Sequence, residues 1–458
     1  MFRTLPVEQK NNPKSHQYLQ KLTAFNRNLV TTYYQRGQTS LKLKDYTTAI
    51  LDFTTVLELD PQSVKTYMIR GFTYGEMKDY EREIADYSSA ILLDPMLAKA
   101  YRSRGYAYGI LRDYPKAIAD LERAIELNPD YAQAYYNLGC IHLLLDRDRL
   151  AVADFSHVIR LEPDNAKAYF KRGNIYHRLE KFDLALNDLA RVIAHNPDNA
   201  EAYRQRGEIH LQQKNYHNAI IDYSQAILLD PYDWHSWYNQ GHSYREIKDY
   251  RNALVSYSKV IHLKPRLATA YQDRGYICGK LRNFEAAIAD YTQSIGCNPG
   301  YPSNYYHRAI AHNFLHQYEQ AIDDYTACIE LDPGYDRAYY NRGVTYGLLR
   351  QYQAAVDDYN LALTTVQSPT IYNNRGIAYQ QLKKYRQAIV DFTKAIFFNP
   401  NYAEAYYNRA LVYYSLENFQ NTAKDLLLAK SLFQKQGKTD LVQKALSMSE
   451  QLEQVATK

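Results

Sequence analysis

The sequence has little cysteine and no long apolar segment. Its four cysteines show neither paired spacing nor the density of a secreted disulfide scaffold, which favours a reducing compartment. No apolar run approaches the roughly 18 residues that a membrane-spanning helix needs, and Met1–Lys21 is polar and lacks a signal-peptide core. These absences argue against a secreted disulfide protein and against membrane insertion, and they predict a cytoplasmic location.

A large excess of charge of one sign is also absent. The 55 Lys and Arg residues are set against 50 Asp and Glu residues, so the formal net charge is +5, and no polybasic run occurs. Charged residues form 23% and hydrophobic residues 46% of the chain, a balance that excludes a disordered or low-complexity protein. The small positive excess is a weak indication of anionic partners.

The motifs of an enzyme are missing as well. Outside the repeats described below there is no glycine-rich phosphate loop, no nucleophile elbow and no pair of catalytic carboxylates. His312 and His316 are four residues apart with His307 nearby, a spacing that can bind a transition metal, but no carboxylate or cysteine completes the set. We therefore expect solvated histidines, no metal, no cofactor and no enzymatic activity.

What the sequence has instead is a period of 34 residues. Prolines keep this period from Pro61 to Pro333, and each is usually preceded by Asp or Asn. Because proline lacks a backbone donor and moves the preceding residue out of the helical region, each one marks a boundary between helices. Glycines keep the same period at Gly37, Gly71, Gly105, Gly139, Gly173, Gly207, Gly241 and Gly275, and the series continues through Ala309 to Gly343.

One period contains two helices. In the third repeat, Ala98–Leu111 and Pro115–Leu127 each have apolar residues at three- and four-residue spacing, and a short turn separates them. The small side chains at Gly105 and Ala117 would let the two helices approach closely. The unit is therefore predicted to be a helical hairpin of about 34 residues.

In this pattern the chain resembles the tetratricopeptide repeat family. Its units have an aromatic residue, Gly and Tyr in the first helix, then Ala, an aromatic residue and Pro. The third repeat supplies Tyr101, Gly105, Tyr108, Ala117 and Pro129. The resemblance, strongest to bacterial proteins built almost entirely of such units, implies an all-α, right-handed superhelical solenoid of about twelve helix-turn-helix repeats.

The repeats divide the chain into three segments. We expect an N-terminal extension at residues 1–29, where Pro13–Asn28 would form a capping helix, a twelve-repeat solenoid at residues 30–436, and a C-terminal capping helix within residues 437–458. One repeat is a residue short and lacks its proline near Gln367, so the segment Thr364–Pro369 is predicted to be an irregular joint.

Charged residues also recur with the period. Arginine precedes the glycine place in ten of the twelve repeats, and aspartate occupies one place of the second helix in eleven. A ladder of ion pairs within repeats, such as Arg104 with Asp120, explains both. The seventh repeat loses both partners together, with Gln240 and Ser256, whereas the fourth keeps only the aspartate. Most of the 47 tyrosines fall at repeat places where the family buries aromatic residues.

The resemblance further implies that the first helices line a concave groove, with the second, fifth, ninth, twelfth and thirteenth residues of each repeat facing it. Those places hold more basic than acidic residues in the first six repeats, which predicts a mildly basic N-terminal half of the groove. The basic residues there are Lys42, Lys65, Lys99, Arg102, Lys167, Arg178 and Arg204.

Later repeats place apolar residues in the groove. One stripe consists of Tyr306, Ile310 and Phe314, and a second consists of Tyr340, Val344 and Leu348. An exposed apolar patch with a polar rim is typical of a recognition surface. The alternative is that these side chains pack on neighbouring first helices and leave little surface exposed.

The function predicted from the sequence is a non-enzymatic protein-protein interaction scaffold that binds a peptide segment or partner protein in the groove. The other hypothesis is single-stranded RNA binding by the basic half, with bases stacked on residues such as Tyr106, Tyr136 and Phe170. The groove surplus of about five charges is small for following a phosphate backbone, so a nucleic acid is the less favoured partner. The Lys and Asn set with which some family members clamp chaperone tails is also absent, since Phe170 replaces one of its lysines.

Overall fold

The structure of the chain is a computed structural model that describes residues 13–456. This part of the chain forms 25 α-helices and no β-strand. It divides into two compact units, unit 1 up to Ile209 and unit 2 from His210 onward. Within each unit the helices pack as consecutive pairs, each against the next, so the predicted all-α fold of helix-turn-helix repeats is confirmed.

The helices of unit 1 are short and regular after the first. They are α1 Pro13–Lys42, α2 Tyr46–Leu59, α3 Val64–Glu76, α4 Tyr80–Leu93, α5 Ala98–Ile110, α6 Tyr114–Leu127, α7 Ala132–Leu144, α8 Asp148–Leu161, α9 Ala166–Arg178, α10 Phe182–His195 and the first part of α11 Ala200–Gln212. The 30-residue α1 contains the segment expected as a separate cap and runs without a break into the first repeat. Phe25 on this segment is 60% exposed, and the side chains of Tyr18, Leu19 and Leu22 lie outside the described residues.

Unit 2 repeats the same pattern to its last helix. Its helices after α11 are α12 Tyr216–Leu229, α13 Trp234–Glu246, α14 Tyr250–Leu263, α15 Ala268–Lys280, α16 Phe284–Cys297, α17 Pro302–Phe314, α18 Tyr318–Leu331, α19 Asp336–Leu348, α20 Tyr352–Ala362, α21 Pro369–Gln381, α22 Tyr385–Phe398, α23 Ala403–Ser415, α24 Phe419–Lys435 and α25 Thr439–Ala456. The helix α20 has 11 residues where the other second helices of these repeats have 14 or more, so the chain is irregular between Ala362 and Pro369. At the far end α25 packs on α24 and buries Ala445 and Leu452.

The turn inside each repeat is closed by a backbone hydrogen bond, and in six repeats a side chain also caps the second helix. In the second repeat the Asp79 amide donates to the Tyr74 carbonyl at 2.9 Å, and Lys78 between them has a φ of 61°. The Asp79 carboxylate then accepts from the Arg82 amide at 3.2 Å and caps α4. A non-glycine residue with positive φ recurs at this place in every repeat, although such a conformation costs about 1–2 kcal/mol.

Small residues bring the two helices of a repeat together, as the sequence predicts. A methyl group on Gly105 would lie 3.0 Å from Leu121 Cγ and 3.1 Å from the Ala117 carbonyl oxygen. Ala117 and Leu121 are themselves fully buried. A larger residue at Gly105 would therefore push α5 and α6 apart.

The arginine-aspartate ladder is confirmed, and it extends further than the sequence indicates. Arg104 binds Asp120 through two parallel hydrogen bonds of 2.8 Å, and its third nitrogen donates to Ser88 of the preceding repeat at 3.0 Å. The same bridge between repeats is made by Arg70 and Arg172 in unit 1 and by Arg274, Arg308, Arg342 and Arg409 in unit 2. Each of these guanidinium groups therefore links three helices. They are the first helix that carries the arginine, the second helix of the same repeat and the second helix of the preceding repeat.

Tyrosine rings enclose the same guanidinium groups. The central carbon of Arg104 lies 5.7 Å from the Tyr101 ring and 6.0 Å from the Tyr108 ring, three residues before and four residues after it. This spacing places both rings on the arginine side of the helix, where cation-π attraction adds to the ion pair. Many of the tyrosines are thus part of the structural ladder.

The two exceptional repeats satisfy the ladder with other groups. In the seventh repeat Gln240 donates to Ser224 at 2.9 Å and accepts from Ser256 at 2.8 Å, so a neutral amide replaces the ion pair. In the fourth repeat Leu138 cannot bind Asp154, and His142 one turn later bonds to it at 2.6 Å. The buried aspartate therefore keeps a partner even where the arginine is missing.

The ladder yields a stability prediction, for which the uncharged arrangement of the seventh repeat is the template. Arg172→Met would leave Asp188, only 3% exposed, buried without its partner, at a cost of about 3–5 kcal/mol. The double variant Arg172→Gln, Asp188→Ser reproduces the Ser224, Gln240 and Ser256 arrangement around Ser156, and we expect it to recover all but about 1 kcal/mol. Hydrogen exchange of α9 and α10 measures both values, and equal losses in the two variants would contradict the explanation.

Candidate functional site

Glycine at the twelfth place of a repeat leaves a hollow on the first helix. Four repeats have glycine there, and the other eight have larger side chains. A methyl group on Gly279 would meet no atom within 4 Å, whereas one on Gly109 would lie 3.3 Å from Ile141, which occupies that space. The hollows at Gly75 and Gly279 open into cavities.

The hollow at Gly279 belongs to a cavity of about 380 Å³ in unit 2. We call it the aromatic socket. It lies between α15, the start of α16 and α17. The side chains that define it are Tyr276, Lys280, Phe284, Tyr291, His307, Ile310 and Phe314.

The aromatic socket has one wall that is open to solvent. Phe314 is 61% exposed, and its ring stacks on Phe284 with centroids 4.5 Å apart and planes within 6°. On the inner side His307 stacks on Tyr291 at 5.9 Å. Burial, together with the nearby positive charges of Lys280 and Arg337, lowers the pKa of His307, which keeps its imidazole neutral near pH 7.

A polar cavity of about 340 Å³ adjoins the aromatic socket and shares Tyr276, Tyr291 and His307 with it. Its far side is an ion pair of 2.8 Å between Arg245 and Asp273. Hydrogen-bonding groups therefore lie next to the aromatic socket. Recognition sites commonly combine an apolar pocket with a few polar contacts in this way.

The hollow at Gly75 lies at the same places of the repeat, in unit 1, but has different chemistry. We call this cavity of about 220 Å³ the acidic socket. It contains two carboxylates and one guanidinium beside its aromatic walls. The side chains that define it are Phe72, Glu76, Tyr80, Glu83, Tyr87, Arg102, Ser103 and Tyr106.

Glu83 is the unusual residue of the acidic socket. Ten of the other repeats have alanine at its place, and the twelfth has threonine. Glu83 is only 6% exposed, and its Oε2 has no hydrogen-bond partner. Burial raises its pKa to about 7, although the Tyr87 hydroxyl and the Arg102 charge oppose the rise. A methyl group on Gly75 would lie 2.8 Å from that oxygen, so the glycine provides the room for the carboxylate.

The apolar residues predicted to face the groove are divided by the structure. Ile310 and Phe314 line the aromatic socket, and Leu348 is 58% exposed. Tyr306 is instead buried, with its hydroxyl accepting from Asn341 at 3.0 Å. Tyr340 and Val344 are half-buried against the cluster around Tyr359. Exposure thus differs along the stripe, and partner binding by its exposed part stays a prediction.

The basic residues predicted to face the groove are in part already paired. Lys65, Lys99 and Lys167 are exposed. Arg204 forms ion pairs with Glu201 and Glu208 of its own helix, and Arg178 pairs with Asp148. Arg102 lies in the acidic socket, where its Nε donates to Tyr131 at 3.2 Å. These acidic neighbours reduce the positive surface that the RNA hypothesis needs.

The described residues show neither a metal site nor a membrane-spanning helix. His312 bonds to Gln317 and His316 to Tyr318, and no group of three or more potential metal ligands occurs among the described residues. Within the same residues no helix is both long enough and apolar enough to cross a bilayer.

Sequence reasoning missed both sockets. The ninth, twelfth and thirteenth places predicted to face the groove include Tyr276, Gly279 and Lys280, but a hollow at Gly279 was not predicted, and Glu83 was not singled out. The available signal was the departure from the repeat: glycine at the twelfth place, and glutamate where ten repeats have alanine.

The family is decided by matches that extend along most of the chain. Models described as tetratricopeptide repeat or TPR repeat match residues 30–63, 64–95, 112–146, 132–165, 170–233, 235–267, 268–301, 315–349, 336–365 and 369–402. The chain belongs to the tetratricopeptide repeat family. Membership supports a role as a protein-protein interaction scaffold, a class that is typically not enzymatic. No curated protein matches this tetratricopeptide chain.

Several solved structures are similar to this tetratricopeptide protein. YrrB, described as a TPR protein with an unusual peptide-binding site, is 24% identical over 40% of this chain and 95% of its own, with a TM-score of 0.37. The C-terminal part of a TPR repeat-containing protein from Cytophaga hutchinsonii is 16% identical over 52% and 98%, with a TM-score of 0.48. Yeast Tom70 is 15% identical over 94% and 97%, with a TM-score of 0.35.

The buried carboxyl of Glu83 makes the stability of this tetratricopeptide protein depend on pH. Since its folded pKa of about 7 exceeds the ordinary value of 4.5, the folded state binds more protons between these pH values. Stability is therefore lost as pH rises through this window, by on the order of 3 kcal/mol. Glu83→Ala should remove this dependence.

The test compares thermal denaturation at pH 5 and pH 8. We expect Glu83→Ala to raise the melting temperature at pH 8 and to have a much smaller advantage at pH 5. Glu58→Ala, which removes an exposed glutamate from α2, is the matched control and should shift neither value. An advantage of equal size at both pH values would show that the carboxyl is not the cause.

Proposed function

We propose that the chain is a protein-interaction scaffold that holds a partner segment on unit 2 by anchoring one apolar, preferably aromatic, side chain in the aromatic socket. The observation that carries the proposal is Phe314, which is 61% exposed and stacked on Phe284 beside a cavity of about 380 Å³. An exposed ring that is held in place offers contact area at little cost in conformational entropy.

The size of the aromatic socket favours a side chain of a larger partner. Its volume is at the lower end of the range of about 300–1,000 Å³ that small-molecule sites occupy. The adjoining polar cavity offers donors and acceptors on Gln272, Arg245 and Asp273 to the backbone of the same segment. A partner segment that extends along both cavities can bury its anchor and satisfy its polar groups.

Charge at the rim favours an acidic residue next to the anchor. Lys280 lines the socket with its Nζ 5.1 Å from the Tyr276 ring, and Arg282 lies at the same edge. With His307 held neutral, these two cations set the local charge. An anchor flanked by Asp or Glu would therefore bind better than one flanked by Lys or Arg.

The first test removes the exposed wall of the socket. We expect Phe314→Ser to weaken binding of the natural partner by roughly 30-fold, about 2 kcal/mol, because it deletes a central aromatic contact. Phe397→Ser is the matched control, since Phe397 is 77% exposed but lies on the second helix α22. The measurement is affinity purification from the native cell with mass spectrometry, followed by titration of the captured protein. Equal capture by Phe314→Ser and the intact chain would reject the site.

The second test fills the socket without unfolding it. Gly279→Leu places in the hollow a side chain that three other repeats have at this position, and its Cβ meets no atom within 4 Å. Because leucine is also a better helix former than glycine by about 1 kcal/mol, we expect an unchanged or higher melting temperature together with lost binding. A stable Gly279→Leu protein that still binds its partner would show that the anchor lies elsewhere.

A further inference from the structure

We propose that the acidic socket of unit 1 is a second binding site, which takes a primary ammonium or guanidinium group on an aliphatic stem, as in a lysine or arginine side chain. This inference is independent of the function proposed for unit 2, because the two sockets have no residue in common.

The first argument is the incomplete hydrogen bonding of Glu83. Its Oε2 is buried and has no partner, and a buried acceptor without a donor is costly. Ten other repeats avoid this cost with alanine at the same place. The oxygen lies over Gly75 in the wall of a cavity that opens to solvent, so a rotation of the Glu83 side chain would present it to a donor from a ligand.

The second argument is charge. The groups that face Glu83 are Glu76 on α3, Tyr80 and Tyr87 on its own helix α4, and Arg102 and Tyr106 on α5. Arg102 is engaged by Tyr131, to which its Nε donates at 3.2 Å. With Glu83 ionised, two carboxylates are present for one guanidinium, and the net charge of the socket is negative. A cation completes the balance and an anion does not.

The third argument is the aromatic wall. Phe72 and Tyr106 both line the socket and are each about half exposed, at 49% and 47%. Aromatic faces attract ammonium and guanidinium groups and also pack against their methylene stems. The volume of about 220 Å³ is below the usual range of drug-sized sites and fits one such side chain.

The ionisation of Glu83 makes this binding sensitive to pH. Its pKa of about 7 means that the ionised fraction falls about tenfold between pH 8 and pH 6. Lysine and arginine keep their charge over this range, so any change in affinity reports on the socket. A cation that requires ionised Glu83 should bind about tenfold more weakly at pH 6.

The experiment is saturation-transfer NMR on the intact chain, which detects weak ligands of a large protein. The probes are Nα-acetyl-lysine N-methylamide, its arginine counterpart and the neutral norleucine counterpart. We expect the two cationic probes to bind at pH 8, about tenfold more weakly at pH 6, and the norleucine probe to bind at least tenfold more weakly than lysine. Cadaverine is the fourth probe, and binding tighter than that of capped lysine identifies a free diamine as the source, whereas weaker binding identifies a protein side chain.

Variants of the socket decide the interpretation. Glu83→Ala restores the residue of ten other repeats and should fold, and Glu83→Gln keeps the size of the side chain. Both should lose at least tenfold in affinity for the cationic probes and lose the pH dependence. Glu58→Ala, which removes the same charge from an exposed position, should bind as the intact chain does. Absence of transfer to every probe, equal binding of norleucine, or an equal loss in Glu58→Ala would overturn the proposal.

Discussion

The rest of the structure depends on the hydrogen bonds of the ladder arginines, most of which reach two repeats. Arg104 uses one edge for Asp120 of its own repeat and a third nitrogen for Ser88 of the preceding one. Because both partners lie on second helices, a single side chain fixes the first helix relative to its two neighbours. A charge so nearly buried is stable only when its hydrogen bonds are complete. Where the arginine is absent, other side chains therefore complete the hydrogen bonding.

This constraint also explains where variation is tolerated. Within the seventh repeat a glutamine and two serines replace the ion pair as a set, and in the fourth a histidine takes over the aspartate. The places that face away from the ladder have no such requirement. Glycine, lysine and aromatic residues vary at the ninth, twelfth and thirteenth places, and each combination gives a surface of different chemistry on the same backbone. The aromatic and acidic sockets are two such combinations.

The sequence was sufficient for features that repeat and insufficient for features that depend on one side chain's neighbours. The hairpin, the close approach at Gly105 and the pairing of Arg104 with Asp120 recur in most periods, so they could be predicted. The exposure of a side chain could not be predicted: Tyr306 and Phe314 belong to the same apolar stripe, yet Tyr306 is buried and Phe314 is 61% exposed. Tyr306 packs against the rings of Tyr325 and Tyr335, whereas Phe314 stacks on Phe284 at the rim of the socket.

The backbone conformation of the turn residues could not be predicted from the sequence either. Positive φ at Lys78 and its equivalents carries no glycine or asparagine signal, so sequence patterns could not identify it. The conformation is imposed by the hairpin itself, through the bond from Asp79 to the Tyr74 carbonyl. Local preference therefore yields to the geometry that two packed helices require.

A repeat array can hold a costly residue such as Glu83 because its energetics are local. Each repeat contacts only its neighbours, so the free energy of burying one carboxyl is borne by the helices α3, α4 and α5 and is not spread through a shared core. The adjacent ladder groups, Arg70 with Asp86 and Arg104 with Asp120, keep these helices in register while the cavity between them remains unfilled. In a single-core domain the same substitution would disturb packing in every direction. The regular ladder is thus the condition under which an irregular, energetically unfavourable and chemically specific pocket can exist.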